Sequence, residues 1–277
     1  MSKNLNRRGF LHQAAVSAGV AGLVAAGTSS RLGAAPISNS PSGSSSAAEQ
    51  KTLLAIGAHY DDLPFGIPGI LLEAVQKNYR VVILNIIGDY SNWAPVKDRA
   101  KELRDNSIRL ASERGMEMRF LDYALMNFEV CEKTKRELAE VVAEVHPELA
   151  FILWRRDRHP DHEVASLLSE AALRQPSTIL GRPGIKIPRR IYYYDNGPGH
   201  TVDYEPDTYV DVSPHWSAAM EWLGQNMAFV KKKTYDSKFP DGAQRTKEKL
   251  AQYRGMACGV KYAEALKSYK PYPTGIL

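Results

Sequence analysis

The chain has 277 residues, 36 Lys and Arg against 31 Asp and Glu, a formal charge of +5, 44% apolar residues and two cysteines. Lys3, Arg7, Arg8 and Arg31 fall in the first 35 positions with no acidic residue, so without their four charges the remainder stands near +1 and implies no nucleic-acid partner. Cys131 and Cys258 form no Cys-x-x-Cys pair, which argues against thiolate zinc, and their separation in sequence decides nothing about a disulfide.

Asn6-Arg7-Arg8-Gly9-Phe10-Leu11 is a twin-arginine pattern, followed by a weakly apolar stretch from Ala14 to Ala26 and small residues at Leu32–Ala35. A membrane span needs ~20 strongly apolar residues. The pattern instead reads as a twin-arginine export signal over residues 1–35, which predicts a periplasmic or extracellular protein. Residues 36–50, rich in Ser, Pro and Gly, read as a flexible linker. Residues 51–277 remain for a single folded domain, with no membrane span expected in it.

Within that domain strands and helices alternate. Leu53–Ile56 reads as a strand, and Pro68-Gly69 opens an amphipathic helix to about Lys77. Arg80–Ile87 is a β-branched run of the kind buried on both faces of a parallel sheet. Val96 to Arg114 reads as a charged helix stopped by Gly115, and Met118–Leu121 as a short strand. Thr134-Lys135-Arg136-Glu137 fits a capping box for a helix ending before His146-Pro147. Leu149–Trp154 reads as a central strand, and Asp161 as the N-cap of a helix from His162 to about Arg174. Ile187–Tyr194 and Thr208–Val212 read as later strands and Ser217–Lys231 as a late helix, with Lys231-Lys232-Lys233 as its solvated end. The order predicts an α/β, Rossmann-like, mostly parallel sheet with helices on both faces. Gly57 begins no Gly-x-Gly-x-x-Gly fingerprint, so a dinucleotide is not expected.

Two polar clusters each follow a predicted buried strand. Gly57-Ala58-His59-Tyr60-Asp61-Asp62 comes after Leu53–Ile56, and Asp157-Arg158-His159-Pro160-Asp161-His162 after Leu149–Trp154. Loops at the carboxyl ends of parallel strands form the ligand crevice of such sheets. Two such loops can bring His59, Asp62 and His162 onto one divalent metal with a coordination position left open for water. Asp61 is then placed to take that water's proton. His159 could donate to a leaving group or an oxyanion, with Asp161 fixing its tautomer. His146 precedes its strand and reads as a turn residue, and His200 and His215 read as isolated structural residues. Trp93, Tyr123 and Tyr192-Tyr193-Tyr194 read mostly as core, with sugar stacking as the alternative. The loops Ser91–Pro95, Asp195–Val202 and Phe239–Arg245 are expected to shape the pocket.

The first cluster resembles the Ala-His-Pro-Asp-Asp-Glu signature of the PIG-L/LmbE-like deacetylase family, and His159-Pro160-Asp161-His162 matches that family's second motif. Gly88-Asp89, Leu103-Arg104 and Tyr262-Ala263-Glu264 resemble further family landmarks, and the likeness runs from about Thr52 to Lys267. The resemblance implies a zinc-dependent hydrolase that removes an N-acetyl group from an N-acetylated sugar or sugar conjugate through a metal-activated water. It implies His59, Asp62 and His162 as metal ligands, Asp61 as general base, His159 with Asp161 as the acid or oxyanion pair, and Arg104 as a substrate contact. Tyr60, Leu63 and Ser107 depart from the pattern, where the family usually has Pro, Glu and Glu. The expected partner is a small molecule or glycan carrying an N-acyl group, and the sequence leaves an oligomer open. Three other readings stay open: an amidase for a non-acetyl amide or a thiol-sugar conjugate, a non-haem iron oxygenase, and a non-catalytic carbohydrate-binding relic.

Overall fold

The computed structural model describes residues 50–273. The export signal over 1–35 and the linker up to residue 49 lie outside the described residues. Five strands are parallel neighbours: β1 (Thr52–Gly57), β2 (Arg80–Asp89), β3 (Glu117–Ala124), β4 (Leu149–Leu153) and β5 (Arg190–Tyr194). β6 (Thr208–Asp211) and β7 (Ala263–Ser268) extend the sheet antiparallel, in the order β3-β2-β1-β4-β5-β7-β6. All of Val81–Gly88 in β2 and Leu53–Gly57 in β1 are buried. Successive strand residues face opposite sides, so both faces of the sheet are covered.

The helices are α1 (Asp62–Gly66), α2 (Pro68–Gln76), α3 (Ala100–Ser112), α4 (Glu132–Val145), α5 (Pro160–Arg174), α6 (Pro176–Leu180), α7 (Trp216–Val230) and α8 (Gly242–Cys258). α4, α5 and α6 pack on one another, α2 and α3 each pack on α7, and α8 packs on α7 and β7. From β1 the chain winds outward to β2 and β3, and from β4 it winds the other way to β5. β1 and β4 are themselves paired, from Leu53 against Leu149 to Ile56 against Ile152. The winding therefore reverses between their carboxyl ends, and a crevice opens there.

Local details differ from the expectations at four places. α4 is capped by Cys131, and Thr134 is its third residue, whose Oγ1 accepts from the Cys131 N–H at 3.0 Å; the capping box sits one turn earlier than the pattern implied. The N-cap of α5 is His159, with Asp161 inside the first turn. The charged helix starts at Ala100 after a short 3-10 turn over Lys97–Arg99. α8, the longest helix at 17 residues, and β7 follow no apolar periodicity and were not expected. His146 is a left-handed C-cap residue at φ 50°, in keeping with a turn role. Cys131 and Cys258 are both free thiols. Among the described residues no helix is long and apolar enough to cross a membrane.

Candidate metal centre and cavity

Gly57 ends β1 where the chain folds back over the strand. A Cβ there would lie 2.6 Å from Leu63 Cδ2 and 3.0 Å from Asp62 Cβ, so only glycine admits this return. Asp62 Oδ2 accepts from the backbone N–H groups of Ala58 at 2.7 Å and His59 at 2.8 Å. This locks the carboxylate and leaves Oδ1 3.2 Å from His162 Nε2 and 3.6 Å from His59 Nδ1. The two ring nitrogens are 3.1 Å apart. A tetrahedral zinc with ligands at ~2.0–2.2 Å has ligand-to-ligand edges of about 3.3–3.6 Å. The triangle of His59 Nδ1, Asp62 Oδ1 and His162 Nε2 fits such an ion, and its two-nitrogen, one-oxygen donor set suits zinc.

An outer ring of groups orients these three. Asp161 Oδ2 lies 3.2 Å from His59 Nε2, and Asp157 Oδ1 lies 3.0 Å from His162 Nδ1. Carboxylates behind metal-binding imidazoles fix the tautomer and raise ligand basicity. Asn196, just past β5, donates from Nδ2 to Asp62 Oδ1 at 2.9 Å. Asp161 therefore serves His59 and not His159, whose Nδ1 stands 3.9 Å from it. The reason is the helix start: His159 Nδ1 accepts the Asp161 backbone N–H at 3.3 Å, while the Asp161 side chain turns away and also accepts from the Met126 N–H at 3.1 Å.

Charge follows this geometry. Burial opposes ionisation of Asp62, but the neighbouring His162 and His59 outweigh it and hold the carboxyl well below the usual range. Burial also opposes protonation of both imidazoles. The carboxylates around them reverse that, raising His59 to about 9 and His162 to about 10. In the absence of metal the site thus holds protons on its ligands, which a cation would displace. Asp61 behaves in the opposite way: burial and then the adjacent Asp62 charge push its carboxyl up. Among the described residues no salt bridge is made to it, and its charge acts on the Tyr60 phenol beside it. Tyr60 stands where the resembling family has Pro, so this departure puts a phenol against the expected base. Burial and the nearby His59 and His162 lower His159.

A cavity of about 450 Å³ opens above these groups. Its floor is His59, Asp61, Asp62, His159, His162 and Asn196, and its wall includes Phe65, Tyr90, Trp93, Leu125, Leu223 and Met227. The three loops expected to shape the pocket contribute Trp93, Asn196, His200 and Ala243. The structure thus brings together His59, Asp61, Asp62, His159, Asp161 and His162. It does not bring Arg104 to them. Arg104 pairs with Asp122 at 3.1 Å and packs over Phe120, on the outer side of α3, and it does not line the cavity. Three contributors were not foreseen. Asp157 and Asn196 have direct contacts to ligands, and His200, read as isolated, lies with Nδ1 3.7 Å from Asp157 Oδ1 at the rim. Of the aromatic candidates for stacking, Trp93 lines the cavity, whereas Tyr193 and Tyr194 are core.

Fold and site together define a doubly wound α/β protein with a histidine–carboxylate centre at its topological switch point. Residues 54–173 match the family described as PIG-L: GlcNAc-PI de-N-acetylase. The chain is 26% identical over 140 residues to the uncharacterized deacetylase YaiS of Escherichia coli K12, covering 50% of this chain and 76% of that one. Among solved structures it is similar to N,N'-diacetylchitobiose deacetylase from Pyrococcus horikoshii, with TM-score 0.62, 18% identity and coverage of 79% and 84% of the two chains. It is also similar to GalB, the 4-carboxy-2-hydroxymuconate hydratase of Pseudomonas putida KT2440, with TM-score 0.69, 21% identity and coverage of 82% and 100%. Likeness at this identity establishes the shared fold; the chemistry has to be argued from the site.

Proposed function

We propose that the chain is a metal-dependent hydrolase that releases the amine from an N-acylated sugar or sugar conjugate, with acetyl the simplest acyl group. His59, Asp62 and His162 would hold the cation, taken as zinc. When bound, such an ion acts as a Lewis acid and lowers the pKa of a coordinated water from about 15.7 towards about 7.

The chain's own groups supply the rest. Asp61 takes the proton of the attacking water as the new C–O bond forms and the carbonyl electron pair moves to oxygen. His159 Nδ1 is occupied as the acceptor of the Asp161 N–H, so the neutral ring carries its proton on Nε2 and can donate to the developing oxyanion. When the C–N bond breaks, the proton held by Asp61 passes to the departing nitrogen. The products are a free amine and a carboxylate.

The observation that carries this reading is the pairing of a three-atom donor triangle with a neighbouring buried carboxylate, Asp61, that forms no salt bridge among the described residues and lines the same cavity. The cavity also argues against the hydratase chemistry of GalB, whose substrate name carries several carboxylates: among the described residues no Lys or Arg lines the cavity. N-acetylglucosamine turnover, read as primary amine, together with metal content by elemental analysis tests the assignment. Asp61→Asn should lower kcat by about 10²–10⁴ with metal retained. His162→Ala should lose both metal and turnover. Full activity in Asp61→Asn would remove Asp61 as the base, and oxygen-dependent turnover would replace hydrolysis with oxygenase chemistry.

A further inference from the structure

We infer that the acyl group this site accommodates is an alkyl chain longer than acetyl, seated against the apolar wall, with the polar amine-bearing part directed to solvent. The inference rests on the proposed amide hydrolysis and narrows its substrate class.

Four observations carry it. First, the cavity of about 450 Å³ is far larger than an acetyl group requires. Second, the wall carries apolar side chains from several elements. Phe65 comes from α1, Trp93 from the segment after β2, Leu125 from the segment after β3, and Leu223 and Met227 from α7. Third, several polar groups at the cavity are partly engaged within the protein. The Tyr90 hydroxyl accepts the Tyr60 N–H at 2.9 Å, Thr246 Oγ1 donates to the Gly242 carbonyl at 3.0 Å, and Asn196 Nδ2 is held by Asp62. Fourth, among the described residues no Lys or Arg lines the cavity to receive a phosphate or carboxylate.

The magnitudes then favour a chain over a sugar ring. A hydroxyl buried without a partner costs about 1–3 kcal/mol. Each methylene buried against apolar surface instead gains about 0.8 kcal/mol. A sugar ring turned inward would bury several hydroxyls against Leu223, Met227 and Phe65. An acyl chain turned inward loses nothing of that kind. The floor contributes one unspent acceptor: Asn196 Oδ1 is buried with no partner in the protein, and it is suited to the amide N–H of the scissile bond. The reaction balances as in the parent hydrolysis: water adds across the C–N bond, and a fatty carboxylate leaves in place of acetate.

The test uses the full, metal-loaded chain with N-acetyl-, N-butanoyl- and N-hexanoyl-glucosamine. Turnover is read as primary amine, and binding to the Asp61→Asn protein is read by calorimetry. We expect kcat/KM to rise about fourfold per added methylene while the wall has room, with affinity rising in parallel. Met227→Lys, checked for folding by circular dichroism, should cut the hexanoyl-to-acetyl ratio at least tenfold. Turnover of all three substrates with no chain-length dependence would overturn the acyl pocket and leave amide hydrolysis standing. Graded binding without amine release from any of them would do the reverse.

Discussion

The two halves of the domain contribute in different currencies. From β1 to α5 the chain supplies every proposed metal ligand, the base and the oxyanion donor, on loops set by paired strands. From β5 onward it supplies Asn196, the wall residues Leu223 and Met227, and a set of buried charges that tie the later elements to the earlier ones. Glu264 on β7 is fully buried and accepts from the Gly69 and Ile70 N–H groups at the start of α2 at 3.1 and 2.9 Å. Lys247 on α8 pairs with Glu264 at 3.0 Å and donates to the Gly66 carbonyl at 2.8 Å. Arg254 on α8 pairs with Asp195 at 2.6 Å, next to Asn196. The first half thus holds the reacting groups, and the second holds the first half still. A family match confined to residues 54–173 covers the groups that react and omits those that clamp them.

The sharpest way to break that division is at the clamp. Lys247→Met removes one partner of the buried Lys247–Glu264 pair, a change that costs about 3–5 kcal/mol. We expect urea unfolding to shift by that amount, while the protein that remains folded still binds metal. Loss of metal binding in fully folded Lys247→Met protein would show that α8 sets the site's geometry and not only its stability. Asn196→Ala should give the complementary result. It removes a hydrogen bond to Asp62 Oδ1 from the second half, so metal affinity should fall about 10–100-fold, read by chelator competition. Unchanged affinity would restrict the ligand-orienting groups to the first half.

The same division explains what could be read from sequence. β1, β2 and β4 are buried on both faces, so each is an unbroken apolar run that ends at a polar loop, and the site follows from where those runs stop. α8 carries no such mark because the residues it turns inward include Lys247, Arg254 and Gln244, paired with charges or carbonyls from other segments of the chain. The readable signals were at its ends: Asp241 with Gln244 as a capping box and Gly259 as the left-handed stop. Asn196 is one residue past an aromatic strand, and only the pairing of β5 with β4 brings it beside Asp62. Asp161 shows the converse. Its motif fixed its presence at the site, but the backbone at the start of α5 decided that it serves His59.

The α8 capping box gives a smaller effect with a definite pH sign. Burial raises the Asp241 carboxyl, but Lys231 and the Ala243 N–H together take it below the ordinary 3.8. A carboxyl depressed in the folded state stabilises fully above its unfolded value, and that stabilisation disappears as pH falls through the folded value. Asp241→Ala should therefore cost about 1 kcal/mol at neutral pH, and the gap from wild type should close as the medium is acidified below 3.8. Asp241→Asn keeps the capping acceptor and isolates the charge. A gap that is constant down to strong acid would mean that the charge contributes nothing to the cap.

Arg104 should produce the smallest change, and it tests the resemblance against the geometry. The family likeness implies a substrate contact. The structure puts the guanidinium on Asp122, whose side chain is 88% exposed, and over Phe120, away from the cavity wall. An exposed pair of this kind contributes about 0–1 kcal/mol to stability. We expect Arg104→Ala to leave kcat/KM within about twofold of wild type, since a twofold change is only about 0.4 kcal/mol in transition-state free energy. A tenfold loss in kcat/KM with KM raised and kcat unchanged would have a specific meaning: the amine-bearing part of the substrate, directed out of the apolar pocket, reaches the outer side of α3 and is read there by charge. The inner wall would then select the acyl chain, and the first half of the domain would select the head group.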